Sequence, residues 1–266
     1  MLKPFTVLCT LALMHATANA AAADPPDAGA LDHWLMMVTT ENTVPAKEAQ
    51  FNAWYDRVDI PDVLEVPGYE RARRGKEQMI PASTNPSQLR GKFVALYDID
   101  SRAIDKTIID MLMASWRMEK AHHSTDLLKV TERVYFHQYG PVRLAPAGRA
   151  AKGNTYLYMA RFDCCRDAAT RRKFDQWYGD VYAPRLLASE AISSVARYRL
   201  YRVLMDQPVT IPEFLSVIET HGDTAAQAML QVSRAGDGPT GADRVNISIA
   251  GAKASIFLQI NDVRRR

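Results

Sequence analysis

Apolar and polar positions follow two rhythms along this chain, and the rhythms succeed one another in the same order twice. HWLMMVTT, from His33, is an apolar run of strand length. After it, Phe51, Trp54, Tyr55 and Val58 recur at helical spacing, and Pro45 suits a first helical turn, which predicts a helix over 45–59. Pro67-Gly68 turns the chain into a second strand, YERARRG, and KFVALYDID from Lys92 is a third. Ile104, Ile108, Met111, Leu112 and Trp116 predict a long helix over 103–128, and ERVYFHQYG from Glu132 closes the unit. The order then returns as NTYLYMARF, a helix around Phe174, SSVARYRLYRVL, EFLSVIET, a helix over 223–233 and ASIFLQI.

The residues repeat with the rhythm. FNAWYDRVDIPDVL from Phe51 comes back as FDQWYGDVYAPRLL from Phe174, a constant offset of 123 residues. Phe51, Trp54, Tyr55, Val58, Pro61 and Leu64 meet Phe174, Trp177, Tyr178, Val181, Pro184 and Leu187. So long a period points to a duplicated domain, because solenoid repeats run about 20 to 50 residues. Each half, read as β-α-β-β-α-β, is ferredoxin-like, with one sheet face covered by helices and the other bare. Two such sheets bury their bare faces against each other. The expected fold is therefore α+β: two ferredoxin-like repeats whose antiparallel sheets pack as an intrachain α/β barrel. Trp54 and Trp177, at one helical position in both halves, read as core.

Met1-Leu2-Lys3, the apolar run to Met14 and Ala18-Asn19-Ala20 make a secretory signal, cut after Ala20. The apolar run is too short to span a membrane. The expected division is 1–20 signal peptide, 21–32 mobile leader, 33–140 first repeat, 141–153 linker rich in Pro and Gly, and 154–266 second repeat. Such a signal implies a periplasmic or secreted protein. The formal net charge of +3 gives no field to hold nucleic acid, and the cluster Arg71-Arg73-Arg74 reads as a solvated face. After the signal only Cys164 and Cys165 remain. Neighbouring Cα atoms are closer than a disulfide prefers, so two free thiols at a strand-to-helix corner are favoured over an adjacent bridge. Neither cysteine has zinc-site spacing.

The run WYDRVDIPDVLEVPGYERARRG followed by KFVALYDID resembles the EthD-like members of the dimeric α/β-barrel superfamily, where a helix carrying W-Y-x-x-x-H-x-P leads into a P-G turn and a strand. The resemblance covers about 34–139 well and 155–260 more weakly. It implies a small aromatic or lactone ligand held between the sheets, and relatives that include cofactor-free monooxygenases, isomerases, dehydratases, decarboxylases and haem enzymes of the chlorite dismutase type. The family's histidine does not carry over: Asp59 stands at that position in the first half and Tyr182 in the second. The first half, closer to the motif, is the better place for chemistry.

Candidate acid–base groups are His137, His123, Asp59 and Tyr55. His137 shares a strand face with Tyr135 and Tyr139, opposite Val134, Phe136 and Gln138; the second set is expected against helices and the first in the space between the sheets. Arg71, Arg73, Tyr97, Tyr135, Tyr139, His122 and Trp116 are the candidate substrate contacts. His122 and His123 point about 100° apart on a helix and do not suit one metal, and no metal site is expected. An arginine on a two-sided strand must reach water, a carboxylate or an anionic ligand. These residues predict a cofactor-independent lyase or isomerase (decarboxylation, deformylation, elimination or double-bond shift) acting on a small aromatic or phenolic compound. A non-catalytic carrier with the same cavity is the alternative. A haem-dependent oxidase is a second one, with His122, His123 or His137 as axial ligand. Pairing of two copies through outer helices stays open.

Overall fold

The repeat in the sequence becomes a repeat in the strand pairing. The computed structural model describes residues 31–79, 93–147, 149, 152–165, 167–204, 210–236 and 253–265; the signal segment 1–20 and residues 21–30 of the leader lie outside them. The first half comprises β1 (Asp32–Asn42), α1 (Glu48–Trp54), a π-helical turn (Tyr55–Asp59), α2 (Ile60–Leu64), β2 (Tyr69–Glu77), β3 (Phe93–Ser101), α3 (Ile104–Lys120) and β4 (Leu128–Gln138). A two-residue strand, β5 (Arg143–Leu144), precedes the second half. There follow β6 (Asn154–Phe162), α4 (Ala168–Trp177), a second π-helical turn (Tyr178–Tyr182), α5 (Ala183–Ala188), β7 (Ile192–Val203), β8 (Phe214–Gly222), α6 (Ala225–Gly236) and β9 (Lys253–Arg264).

The sheet order is β4-β1-β3-β2-β9-β6-β8-β7, with all the barrel pairings antiparallel and β7 returning to β4. The two four-stranded sheets are thus joined edge to edge as well as facing each other, through β2–β9 and β4–β7. Closure removes every open edge from the eight strands. The short β5 continues the β4 edge along β7. Gly75 lies where β2 meets β9, and a Cβ there would stand 2.7 Å from Cβ of Phe257. Replacing Gly75 with valine is expected to cost about 1–3 kcal/mol, read as a fall in urea midpoint; an unchanged midpoint would show that this seam is loosely packed.

The helix of the repeated motif runs past the expected end at Asp59. Pro61 and Pro184 have no N–H, and their rings crowd the carbonyl four residues back. In each half the turn before the proline widens to π geometry: the N–H groups of Ile60 and Ala183 reach back five residues, to the carbonyls of Tyr55 and Tyr178. α3 stops earlier than 128. His122 adopts φ 59°, and its neighbour's N–H closes on the Met118 carbonyl, a left-handed helix end. Of the apolar pattern that predicts α3, Ile104, Ile108 and Met111 are buried while Leu112 and Trp116 are exposed.

Both faces of each sheet are buried, so apolar character does not tell one from the other. Leu35, Met37, Val134, Phe136, Leu157 and Phe257 fill the barrel interior, whereas Tyr69, Tyr97 and Tyr135 pack with the helices of the first half. This reverses the expectation for β4: Val134 and Phe136 point between the sheets, and Tyr135 points at the helix layer. The expectation that Arg71-Arg73-Arg74 is a solvated face is also corrected. Arg73 and Arg74 are buried, and Arg71 pairs with Asp262. Arg73 pairs with Asp98 at 2.7 Å, and Arg74 sits 4.1 Å above the Tyr55 ring. Arg197 repeats the second arrangement 4.4 Å above Tyr178. Cys164 and Cys165, favoured as free thiols, are joined as a vicinal disulfide.

Candidate active site

The π-helical turn of the first half begins at Tyr55 and ends at Asp59, so both side chains are presented to the sheet from one short piece of backbone. Opposite them, Tyr97 on β3 donates its hydroxyl to Oδ2 of Asp59 at 3.0 Å. The hydroxyl of Tyr55 is hydrogen-bonded to that of Tyr97. These three groups form the floor of a cavity of about 260 Å³ between the first sheet and its helices. Met36, Val38, Val63, Met111 and Met118 make much of its wall. Trp54, expected in the core, forms part of the wall instead, and its indole N–H donates to the His123 carbonyl at 2.7 Å, tying α1 to the end of α3. His123 sits at the rim with Nδ1 2.6 Å from Oδ2 of Asp62.

Burial dominates the electrostatics of this floor. The Asp59 carboxyl is pushed up from 3.8 to about 6, chiefly because the pocket deprives its charged form of water. The Tyr97 hydroxyl, with the Arg133 and Arg74 guanidiniums, acts in the opposite sense and keeps the rise in check. The phenols of Tyr55 and Tyr97 are driven upward by burial and by the neighbouring Asp59 charge. They therefore stay protonated near neutrality, as hydrogen-bond donors, while Asp59 exchanges its proton close to the working range.

The cavity gathers Asp59, Tyr55, Tyr97 and His123 from among the residues singled out in the sequence. Others lie elsewhere. His137 holds Asp32 at 2.6 Å and stacks near Trp34, lining neither this cavity nor the one described next. Tyr135 is buried, with its hydroxyl 3.1 Å from that of Tyr69. Tyr139 donates to Asp175 in the second half. His122 is exposed at the α3 end, and Trp116 is half exposed beneath Lys120. Arg71 and Arg73 line a larger cavity of about 490 Å³ at one mouth of the barrel, with Asp98, Tyr198 and Glu219. The expected location between the sheets thus holds a packed, mainly apolar middle with the buried Glu132–Arg161 ion pair in it, and this mouth, and the acid–base cluster sits outside it, under the helices.

Arg133 is the pocket residue the sequence reading missed. It follows Glu132 on β4, and strand alternation sends Glu132 into the barrel and Arg133 to the helix side, beside Val38 in register. The same alternation that grouped Tyr135 and His137 extends back to Arg133, and that was the available signal.

In the second half the matching position is occupied by Tyr182. Its ring stacks 5.0 Å from Trp177 and lies 5.3 Å from Tyr178, and Tyr178 is bonded to Ser216 at 2.8 Å. An aromatic cluster stands where the first half has its carboxyl. Among the described residues no group of three or more His, Cys, Asp or Glu comes together to hold a metal ion, and no helix is long and apolar enough to cross a membrane.

No family model matches the chain, and no curated protein matches its sequence. Solved structures do match it in fold. A protein provisionally named a monooxygenase, from Fusobacterium nucleatum subsp. nucleatum, superposes with a TM-score of 0.50 at 8% identity, over 88% of this chain and 95% of its own. A chlorite dismutase variant from Candidatus Nitrospira defluvii gives 0.47 at 10% identity over 86% and 92%, and an anthrone oxidase-like protein gives 0.45 at 10% over 88% and 93%. At these identities the likeness is one of fold and transfers no residue's role. The first of these structures and the closed strand order agree on the architecture, an α+β barrel built here by a single chain.

Proposed function

We propose that this protein is an exported enzyme that moves a proton on a small aromatic or phenolic compound, with Asp59 as the acid–base group, in a lyase or isomerase reaction. One observation carries this reading: a carboxyl raised to about 6 accepts from the Tyr97 phenol, itself bonded to the Tyr55 phenol, at the floor of one pocket. The Asp59 carboxylate would take a proton from a phenolic O–H or an activated C–H of the bound compound. Negative charge then gathers on the substrate oxygen; once Asp59 holds the proton, the Tyr97 hydroxyl turns to Tyr55 and frees the Tyr55 hydroxyl to donate a hydrogen bond to that oxygen. Asp59, now neutral, returns the proton to the atom at which the double bond shifts or the leaving group departs. Decarboxylation, deformylation, elimination and double-bond shift all fit this cycle.

Haem would require an axial histidine facing its cavity. His137 lines neither cavity and His122 lies at an exposed helix end. His123 does reach the pocket, but about 260 Å³ is less than the roughly 300–1,000 Å³ usual for drug-sized ligands. No step is drawn through haem.

The test is turnover of a panel of single-ring phenolic acids by the wild type and by Tyr97→Phe. Losing the hydroxyl that steadies the carboxylate should lower kcat/KM about tenfold. It should also move the acidic limb of the pH–rate profile upward, because Tyr97 holds the Asp59 carboxyl down. An unmoved limb would remove Asp59 from the reaction. A carrier protein would bind members of the panel and convert none.

A further inference from the structure

Among the described residues, the arginines on the barrel strands are matched to carboxylates apart from Arg133 and Arg264, and of these two Arg264 is exposed to water while Arg133 is half-buried. Arg71 pairs with Asp262, Arg73 with Asp98, Arg161 with Glu132, Arg197 with Asp175 and Arg199 with Glu213, at 2.5 to 2.9 Å. Even Arg74, enclosed by rings, has an Asp56 oxygen at 3.5 Å. Arg133 is partly buried on β4 and forms no ion pair among the described residues. It lines the same cavity as Asp59, Tyr55 and Tyr97, and its charge favours the ionised form of the Asp59 carboxyl. A half-buried guanidinium on the wall of a cavity, with no fixed ion-pair partner among the described residues, is free to take an anion that enters.

We infer that Arg133 is the anion anchor of the pocket and that the ligand is a compact, single-ring aromatic acid whose carboxylate pairs with this guanidinium. The planar fork of arginine suits a carboxylate in two parallel hydrogen bonds. A volume of about 260 Å³ admits one substituted ring rather than a fused system. The thioethers of Met36, Met111 and Met118 give polarisable walls for its faces. With the carboxylate at Arg133, the remainder of the ring lies toward Asp59, Tyr55 and Tyr97. The inference rests on reading this pocket as the substrate site.

Calorimetric titration with benzoate and its neutral isostere benzamide tests it. The wild type is expected to prefer benzoate by about tenfold or more, the worth of one charge-assisted pair. Arg133→Met should bring the two affinities within about twofold of each other while leaving the circular dichroism spectrum unchanged, and Arg133→Lys should restore part of the preference. Arg264→Ser, at the barrel mouth, should keep the preference intact. Equal affinities in the wild type, or a preference that survives Arg133→Met but fails in Arg264→Ser, would overturn the inference. Binding is read without turnover, so the two readings separate. Charge selection in a protein that converts nothing upholds the anchor and refutes the acid–base role; conversion without charge selection does the reverse.

Discussion

Asp59→Asn is expected to lower kcat/KM by about a hundred- to ten-thousandfold while raising the melting temperature near neutral pH. Asparagine keeps the shape and can still accept from Tyr97, so the pocket stays formed, but it cannot carry a proton to and from the substrate. The wild-type profile should rise through an apparent value near 6 as the carboxylate forms, and the residual activity of the variant should lose that limb. The stability effect follows from linkage. Below about pH 3 the carboxyl is protonated in both folded and unfolded chains, and its ionisation contributes no difference. Between about 3.8 and 6 the unfolded chain releases the proton that the folded chain still holds, so stability falls as pH rises through that window. Above it, the folded state carries a charge that the pocket poorly solvates. Asparagine escapes this, so its stabilisation should be present at neutral pH and vanish below about pH 3. Higher activity without the limb, or equal melting temperatures throughout, would contradict both halves of the argument. A site that gives up stability for chemistry is a common compromise.

Glu132→Leu should be the most damaging change away from the pocket. Glu132 and Arg161 meet inside the barrel with their side chains 2% and 4% exposed, at 2.6 and 3.3 Å through both carboxylate oxygens. Truncating one partner strands a buried guanidinium, which costs about 3–5 kcal/mol. For a chain of this size that is a fall of roughly 10 °C in melting temperature. Glu132→Leu combined with Arg161→Met should recover most of the loss, since an apolar pair of similar volume replaces the ions without an orphaned charge. Thermal unfolding of the two variants decides the point: a single variant as stable as the wild type would mean that water reaches Arg161.

Much of the architecture was legible because duplication wrote it twice. The Trp-Tyr and Pro positions of the motif recur at one offset, and they do so because in both halves the same proline forces the same π-helical turn. The direction of side chains was not legible. In a closed barrel with helices outside, strand residues are buried on both faces, so Val134 and Tyr135 satisfied opposite assignments equally well by hydrophobicity. That ambiguity sent Tyr135 and His137 to the wrong side in the sequence reading and hid Arg133. Asp59, Tyr55 and Tyr97 were recoverable because they lie in the segments that resemble a known motif, whereas Arg71 and Arg73 were drawn toward the same site by charge alone. Sequence alternation cannot show that those two open onto the barrel mouth, because that depends on which edges the two sheets share.

The most direct test of the central claim is a carbon-13 NMR titration of the Asp59 carboxyl, assigned by its absence in Asp59→Asn, without ligand and with benzoate. A midpoint near 6 is expected in the free protein, with a shift of that resonance when benzoate binds. A midpoint near 3.8, the ordinary value, with no response to the ligand would show that this carboxyl is a solvated surface group and that the chemistry lies elsewhere.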